Sequence, residues 1–206
     1  MMLENIRFLK GEEENDEALS KNLASLADYF VMDAFGTAHR KHCSTYGVAK
    51  FLPSCMGKLM QREIEIFDEA LNNPQRPLVA VLGGAKIGDK ITMTENLLSK
   101  VNTLLIGGGM CFTFIKALKG NVGKSLVDDE KLDFCYNVIK SAIKNKVRIV
   151  LPVDFVCAKS LDDYGEVKVL KTSRIEPDLM GLDIGPKTVK LFGKYIKKAR
   201  TLVWNG

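Results

Sequence analysis

The stretch Val79-Ala80-Val81-Leu82-Gly83-Gly84-Ala85-Lys86-Ile87-Gly88-Asp89-Lys90 decides the fold class of this chain. Its apolar, β-favouring run predicts a buried parallel strand, and its last residues predict the start of a helix. Between the two, Gly83 and Gly84 leave backbone N–H groups bare enough to approach a phosphate closely. The helix N-terminus and the ammonium groups of Lys86 and Lys90 add positive charge. We therefore expect an anion site where α/β sheets bind ligands.

Outside this stretch, helix-like and strand-like segments alternate, which is typical of a parallel sheet covered by helices on both faces. Helices are predicted at residues 19–27, 60–71, 89–98, 110–118, 132–143 and from 186 onward. Strands are predicted at residues 29–32, 78–82, 103–106, 147–151, 154–157, 167–170 and 201–204. In the last helix, which Pro186 opens, the residues expected to face the core are Val189, Phe192, Ile196 and Ala199. The fold class is therefore α/β, with three layers.

Composition excludes several function classes. The 206 residues are 46% hydrophobic and 27% charged, which is the balance of an ordinary globular protein. The sequence contains no apolar run long enough to span a membrane and no secretory signal pattern. We therefore expect a cytoplasmic protein. Five cysteines without a Cys-x-x-Cys pair, and only two histidines, argue against a disulfide framework or a zinc site. The net charge of +5 comes from scattered lysines, which fits small anionic ligands at least as well as a polyanion such as nucleic acid.

Seven short motifs are spread along the chain from one end to the other. They are Leu3-Glu4-Asn5-Ile6-Arg7-Phe8, Asp33-Ala34-Phe35-Gly36-Thr37-Ala38-His39-Arg40, Gly83-Gly84-Ala85-Lys86, Gly107-Gly108-Gly109-Met110, Leu151-Pro152-Val153-Asp154, Gly181-Leu182-Asp183-Ile184-Gly185-Pro186 and Val203-Trp204-Asn205-Gly206. In content and order, over essentially the whole chain, they resemble the phosphoglycerate kinase family. Any one glycine motif would be weak support, whereas seven in order are strong.

The resemblance implies a two-domain glycolytic kinase about twice this length, monomeric and cytoplasmic. Such an enzyme moves a phosphoryl group reversibly from 1,3-bisphosphoglycerate to Mg-ADP, giving 3-phosphoglycerate and Mg-ATP, with a carboxyl group as acceptor in reverse. It implies two Rossmann-like domains, both incomplete here. Residues 1–53 would end the phosphoglycerate domain, residues 54–73 would form the inter-domain helix, and residues 74–206 would begin the nucleotide domain. Mg²⁺ would accompany ADP or ATP, with no metal ligand in this chain.

The resemblance assigns two arginines to the substrate. Arg7 and Arg40 match the family arginines that hold the glycerate phosphate, and a guanidinium fork suits phosphate oxygens in a way that lysine cannot copy. His39, beside Arg40, either joins this basic patch or has a structural role. On composition alone, a pair of surface arginines is the simpler explanation of Arg7 and Arg40, and the surrounding motifs reverse that preference.

Two lysines are assigned to catalysis and nucleotide binding. Lys86 and Lys90 match the family lysines that hold the nucleotide phosphates and the migrating phosphoryl group. Phosphoryl transfer depends mainly on positioning and charge neutralisation, which lysines can supply. The alternative is that both are simply exposed lysines at a helix start. The family positions that line the adenosine pocket correspond to Gly84, Ala85, Gly108, Leu126 and Gly181, although tight-turn chemistry alone also explains the glycines at 107–109.

Other motifs give weaker indications of function. Gly123-Lys124-Ser125 resembles the end of a P-loop, but the glycine required five residues before Gly123 is replaced by Leu118. Asp128-Asp129-Glu130 is better explained as an acidic helix start than as a metal site. No Gly-x-Gly-x-x-Gly follows a strand, which disfavours a nicotinamide dehydrogenase.

Both ends of the sequence look like the middle of a fold, because an apolar strand stops at Asn205-Gly206 and the first residues already resemble an internal motif. Family segments that carry most glycerate contacts, a ribose-binding acid and the magnesium aspartate are missing. We therefore expect the 206-residue chain alone to be a weak or inactive kinase. A non-catalytic nucleotide-binding fragment is the alternative, and a different α/β enzyme that reuses a glycine turn is disfavoured by the ordered motifs.

Overall fold

The computed structural model describes residues 2–85, 87–162 and 165–206, and the chain divides into two compact units, Met1–Glu69 and Ala70–Gly206. The first unit contains, in order, α1 (Glu17–Ala24), β1 (Phe30–Met32), β2 (Ser54–Met56) and most of α2 (Lys58–Asn72). The second contains β3 (Leu78–Leu82), α3 (Ile91–Leu98), β4 (Thr103–Ile106), α4 (Met110–Ala117), α5 (Leu132–Lys144), β5 (Arg148–Val150), β6 (Asp154–Ala158), β7 (Lys168–Lys171), β8 (Met180–Ile184), α6 (Pro186–Lys198) and β9 (Thr201–Asn205).

The first unit is rich in turns and has little sheet. β1 and β2 pair in parallel, with Val31 opposite Cys55. α1 begins where the Asp16 carboxylate accepts a 2.7 Å hydrogen bond from the Leu19 N–H, which satisfies a donor that the helix itself leaves open. A turn at Cys43–Gly47 lies against α1, and the buried Cys43 thiol donates to the Asp16 carbonyl at 3.2 Å. Polar contacts therefore carry much of this unit.

The second unit is built around a parallel sheet in the order β5-β4-β3-β9. Every residue of β3 is buried, because successive side chains point to opposite faces and both faces are covered. Leu78, Ala80 and Leu82 join a core with residues of α3, α4 and α5. Val79 and Val81 join a second core with Phe192 of α6. This three-layer arrangement confirms the α/β fold class.

A second sheet in this unit has the order β7-β6-β8 and is antiparallel. The sequence predicts strands close to β6 and β7 but no strand at β8, because Gly181 and Asp183 interrupt its apolar run. A register irregularity between Val156 and Cys157 bends the pairing of β6 with β8. The element that the sequence analysis missed therefore carries a predicted site residue, Gly181.

Two local predictions are wrong. The helix predicted from Ser54 begins at Lys58, because Ser54–Met56 is drawn into pairing with β1 and the Met60 N–H donates to the Asp33 carboxylate at 2.9 Å near the helix start. In α6, Phe192 is buried as predicted, but Val189 is 55% exposed. Among the described residues, none of the helices combines the length and apolarity needed to cross a bilayer.

Candidate functional site

Three neighbouring strands of the parallel sheet end at the same level. Leu82 is in register with both Ile106 of β4 and Asn205 of β9, so the glycines that follow each strand meet at one edge. A Cβ added to Gly108 would lie 2.8 Å from the Gly84 nitrogen, closer than real contacts allow. Gly108 also has φ +61°, a conformation that favours glycine. The turns therefore pack backbone against backbone, and only glycine permits this.

The charged side chain of Lys90 lies beside these glycine turns. It ends a short 3₁₀ turn, Gly88–Lys90, that leads into α3. Its ammonium group donates a hydrogen bond to the Asn205 side-chain oxygen at the end of β9. Its Cε lies 3.7 Å from the position that a Cβ on Gly84 would occupy. Lys86, the other predicted lysine, lies outside the described residues.

The predicted adenosine-lining residues are linked by close approaches around the glycine turns. A Cβ on Gly109 would meet the Ala85 carbonyl oxygen at 2.7 Å and the Leu126 side chain at 3.3 Å, which shows how closely Ala85 and Leu126 approach this turn. Leu126 is 42% exposed and is available to a ligand. The Gly181 N–H donates to the Ser125 hydroxyl at 2.9 Å, which ties β8 to the residue before Leu126. The structure thus brings Gly84, Ala85, Gly108, Leu126 and Gly181 together.

A cavity of about 520 Å³ opens beside the same glycine turns. Gly83, Gly84, Gly107 and Gly108 form part of its lining. The side chains that complete it are largely apolar and include Ile184, Val189, Phe192 and Trp204. Its presence explains the exposure of Val189, which faces this space instead of a packed core.

The helix along this cavity is anchored by a buried carboxylate. Asp154, 2% exposed, accepts hydrogen bonds from the Thr188 N–H at 2.8 Å, the Thr188 hydroxyl at 2.6 Å and the Lys187 N–H at 3.0 Å. Burial raises the pKa of this carboxyl, but the Thr188 and Lys187 hydrogen bonds and the Lys187 charge outweigh it, so the pKa lies below its ordinary value. Asp154 therefore fixes the N-terminus of α6 against β6.

The first unit carries the predicted substrate arginines. Arg7 lies in a short turn, Ile6–Phe8, and its Nε pairs with Glu13 at 3.4 Å. The Arg40 carbonyl accepts a 2.6 Å hydrogen bond from the Thr45 hydroxyl, which fixes the loop. Arg40, His39 and Lys41 line part of a cavity of about 360 Å³ within this unit. Arg40 therefore lies in a concave, positively charged surface.

Beneath that loop lies a buried carboxylate that the sequence did not reveal. Glu12 is 1% exposed and accepts hydrogen bonds from the Ser44 N–H at 3.1 Å and the Ser44 hydroxyl at 2.5 Å. The His42 Nδ1 lies 3.9 Å from the same carboxylate. Glu12 and Ser44 are 32 residues apart in sequence, so no local spacing could identify the pair.

Asn205 and Ser125 are the other site residues to which the sequence analysis gave no role. Asn205 belongs to the last of the seven motifs, and Ser125 ends a P-loop-like pattern that lacks its first glycine. Metal binding was also considered: across residues 2–85, 87–162 and 165–206, no group of three or more His, Cys, Asp or Glu side chains is arranged to hold an ion.

Comparison with known proteins covers the whole chain. The family described as "PGK: Phosphoglycerate kinase" matches residues 1–206. Phosphoglycerate kinase of Finegoldia magna is 53% identical over 206 residues, and that of Dictyoglomus turgidum is 49% identical; each comparison covers 100% of this chain and 52% of the relative. The chain thus spans about half the length of the relatives it matches.

Solved structures agree with these relatives. The structure of phosphoglycerate kinase from Coxiella burnetii is 44% identical, with a TM-score of 0.81 over 98% of this chain and 52% of that one. The enzyme from Pyrococcus horikoshii OT3 is 31% identical, with a TM-score of 0.77 over 98% of this chain and 53% of that one. The chain belongs to the phosphoglycerate kinase family.

Proposed function

We propose that this chain is a segment of a cytoplasmic glycolytic kinase. The reaction is the reversible transfer of a phosphoryl group from 1,3-bisphosphoglycerate to Mg-ADP, which gives 3-phosphoglycerate and Mg-ATP and uses a carboxyl group as acceptor in reverse. Membership of the phosphoglycerate kinase family supports this reaction. The observation that carries it is the convergence of Gly84, Gly108 and Lys90 at the carboxyl ends of β3 and β4.

The second unit is proposed to bind the nucleotide. Backbone N–H groups at the glycine turns and the Lys90 ammonium suit phosphate oxygens, because bare backbone and a point charge can both approach them closely. Lys86 is proposed beside Lys90 on the resemblance alone. Ala85, Leu126 and Gly181 offer small and apolar surfaces against which a flat base and its ribose can lie. We place the nucleotide domain at residues 74–206.

The first unit is proposed to hold part of the glycerate site. Arg7 and Arg40 would bind the substrate phosphate, and the hydrogen bond to the Arg40 carbonyl favours such a role because a loop whose backbone is already fixed loses less entropy on binding. Arg7 would exchange its exposed Glu13 partner for the phosphate. Residues 1–53 then belong to the phosphoglycerate domain and residues 54–73 connect the two domains.

Mg²⁺ is proposed to arrive with the nucleotide phosphates. Mg²⁺ prefers oxygen ligands and usually takes one or two carboxylates together with substrate phosphates. In the part of the chain that the structure describes, no group of three or more His, Cys, Asp or Glu side chains could hold the ion without the nucleotide.

The isolated chain is proposed to be a weak or inactive kinase. It spans about half the length of its relatives, so it supplies only part of the charge stabilisation that phosphoryl transfer needs. A non-catalytic nucleotide-binding fragment is the second candidate, and the confinement of the glycine turns, Lys90 and Leu126 to one unit favours it.

Calorimetric titration of the chain with Mg-ADP tests the nucleotide site. We expect saturable binding that Lys90→Ala and Lys86→Ala each weaken by about tenfold or more, since a hydrogen bond to a charged group contributes about 1.5–3 kcal/mol. The matched control is Lys140→Ala, because Lys140 lies over the Tyr136 ring on α5 and not among the site residues.

Two results would contradict the proposal. A folded chain that does not bind Mg-ADP would remove the nucleotide role from this segment. Equal affinities of the Lys90→Ala and Lys140→Ala variants would mean that the site lies elsewhere. Separately, a coupled assay of 3-phosphoglycerate phosphorylation showing about 1–100 turnovers per second would overturn the proposal that the chain alone is weak.

A further inference from the structure

The Gly123-Lys124-Ser125 motif has a structural role that its sequence pattern did not indicate. Residues 121–126, here called the clasp segment, lie against residues 175–181. Asn121 Nδ2 donates to the Ile175 carbonyl at 2.8 Å. The Lys124 N–H donates to the Leu179 carbonyl at 2.8 Å. With the Ser125–Gly181 bond, three hydrogen bonds fasten the clasp segment along the chain that leads into β8.

Gly123 shows how close this packing is. Its φ of +52° lies in the left-handed region, and a Cβ there would overlap the carbonyl oxygens of Leu179 and Glu176. Its N–H donates to the Asn121 side-chain oxygen at 3.1 Å. The glycine is therefore required by close backbone packing, and the motif that resembled a phosphate loop is a docking segment.

Ser125 occupies the decisive position in the clasp segment. It is 7% exposed, and its N–H donates to the Val122 carbonyl at 3.0 Å, so its main chain is also fixed. Its hydroxyl accepts the Gly181 N–H, and Leu126 follows it directly in the chain. One buried hydroxyl thus ties Gly181 to the residue directly before Leu126, and the proposed function assigns both Leu126 and Gly181 to the surface against which the adenosine lies.

Gly181 has little freedom on its other side. A Cβ added there would overlap the ring of Phe112, whose centroid lies 4.6 Å from that of Phe155. Gly181 is therefore held between an aromatic pair and the Ser125 hydroxyl. Without that hydroxyl, the Gly181 N–H loses its acceptor and β8 loses the contact that fixes its distance from Leu126.

We propose that Ser125 is a positioning residue that sets the spacing between Leu126 and Gly181 and thereby the affinity of the site for the nucleoside part of its ligand. This inference rests on the proposed nucleotide site. Ser125 does not itself touch the phosphates, which Lys90 and the glycine turns would hold. Its effect should therefore separate nucleoside binding from phosphate binding.

The test titrates the full 206-residue chain with Mg-ADP and, separately, with Mg-pyrophosphate, by calorimetry. We expect Ser125→Ala to weaken ADP binding about three- to tenfold, the effect of one ordinary hydrogen bond, and to leave pyrophosphate binding within about twofold. Ser125→Thr, which keeps the hydroxyl, should restore ADP affinity. The matched control is Ser99→Ala, because the exposed Ser99 hydroxyl donates to the Asn96 carbonyl, three residues away at the end of its own helix.

Several outcomes overturn the inference. Unchanged ADP affinity in Ser125→Ala would do so while leaving the nucleotide site intact, provided that Lys90→Ala still weakens binding. If Ser125→Ala lost affinity equally for ADP and for pyrophosphate, the substitution would have damaged the whole site. A wild-type chain that binds ADP but not pyrophosphate would contradict the separation of nucleoside binding from phosphate binding. If the wild type binds neither ligand, the proposed function fails and this inference fails with it. Should Ser125→Ala not fold, Ser125→Cys supplies the same comparison.

Discussion

Strand β3 of the second unit is buried at all five residues, whereas in the first unit the central residue of β1 is exposed and so is every residue of β2. The contrast extends to the cores. In the second unit the fully buried side chains are mostly apolar, such as Phe114 and Leu104, while the largest fully buried side chain of the first unit is the carboxylate-bearing Glu12. The described core of the second unit is thus mostly apolar, whereas the first unit buries a hydrogen-bonded carboxylate.

This difference matches the tasks that we propose for the two units. A loop that presents arginines to a phosphate cannot be buried in apolar surface, so it must be fixed by other means. Thr45 holds the Arg40 carbonyl and Glu12 holds Ser44 in the same loop. A satisfied polar scaffold fixes a loop because each unmade hydrogen bond would be costly once buried.

The largest effect should come from the apolar core. Phe114→Ala removes a fully buried ring of α4, and we expect it to lower the free energy of unfolding of the second unit by about 3–5 kcal/mol. Urea unfolding followed by Trp204 fluorescence reports on this unit, since Trp204, the one tryptophan in the sequence, lies in β9. The control Ile143→Ala, 73% exposed on α5, should cost far less; similar losses would contradict the contrast.

Glu12→Ala tests the polar scaffold of the first unit. It leaves the Ser44 N–H and hydroxyl without their acceptor, so we expect a loss of about 1–3 kcal/mol in local stability. Hydrogen exchange of amides in α1 and the 43–47 turn measures this loss, and Trp204 unfolding should stay unchanged. Glu14→Ala, at an exposed neighbouring position, is the matched control. Unchanged exchange in Glu12→Ala would mean that the scaffold does not carry this unit.

A smaller effect, which should depend on pH, is expected from Asp154, the buried carboxylate of the second unit. The folded pKa of Asp154 lies below its ordinary value of 3.8, so its stabilising contribution is present above about pH 4 and is lost as pH falls through the folded pKa. Asp154→Asn should cost about 1 kcal/mol at pH 7 and flatten this dependence. Trp204 unfolding at pH 7 and pH 3 measures both, with exposed Asp133→Asn as the charge control. An equally steep loss in Asp154→Asn would exclude Asp154 as the cause.

The sequence was sufficient for the parts of the fold that local patterns determine. The apolar runs at β3 and β4 predicted strands because burial on both faces requires apolar side chains throughout. The β-favouring run at β9 also predicted its strand, although Leu202 and Trp204 are exposed there. β8 was missed because Gly181 and Asp183 break its run, and β2 was missed because three residues become a strand only by pairing with β1. The antiparallel direction of the second sheet likewise depends on distant pairing.

The site divides in the same way. The glycine turns were predictable because two backbones can approach this closely only where a residue has no Cβ, and such a residue is visible in the sequence as glycine. The hydrogen bonds from Lys90 to Asn205 and from Gly181 to Ser125 join residues 115 and 56 positions apart, and neither partner type is distinctive. The sequence therefore predicted the glycine turns that meet at this edge of the sheet, but not which side chains hold the neighbouring residues in place.

The position of β9 beside β3 also has a consequence for the order of folding. Val79 pairs with Thr103, 24 positions further along the chain, whereas Leu78 pairs with Thr201, 123 positions further along. Closing a long loop costs more entropy and slows assembly. Gly84 and Gly108 should therefore meet early during refolding, and Asn205 should reach Lys90 late, so that the proposed nucleotide site is completed last.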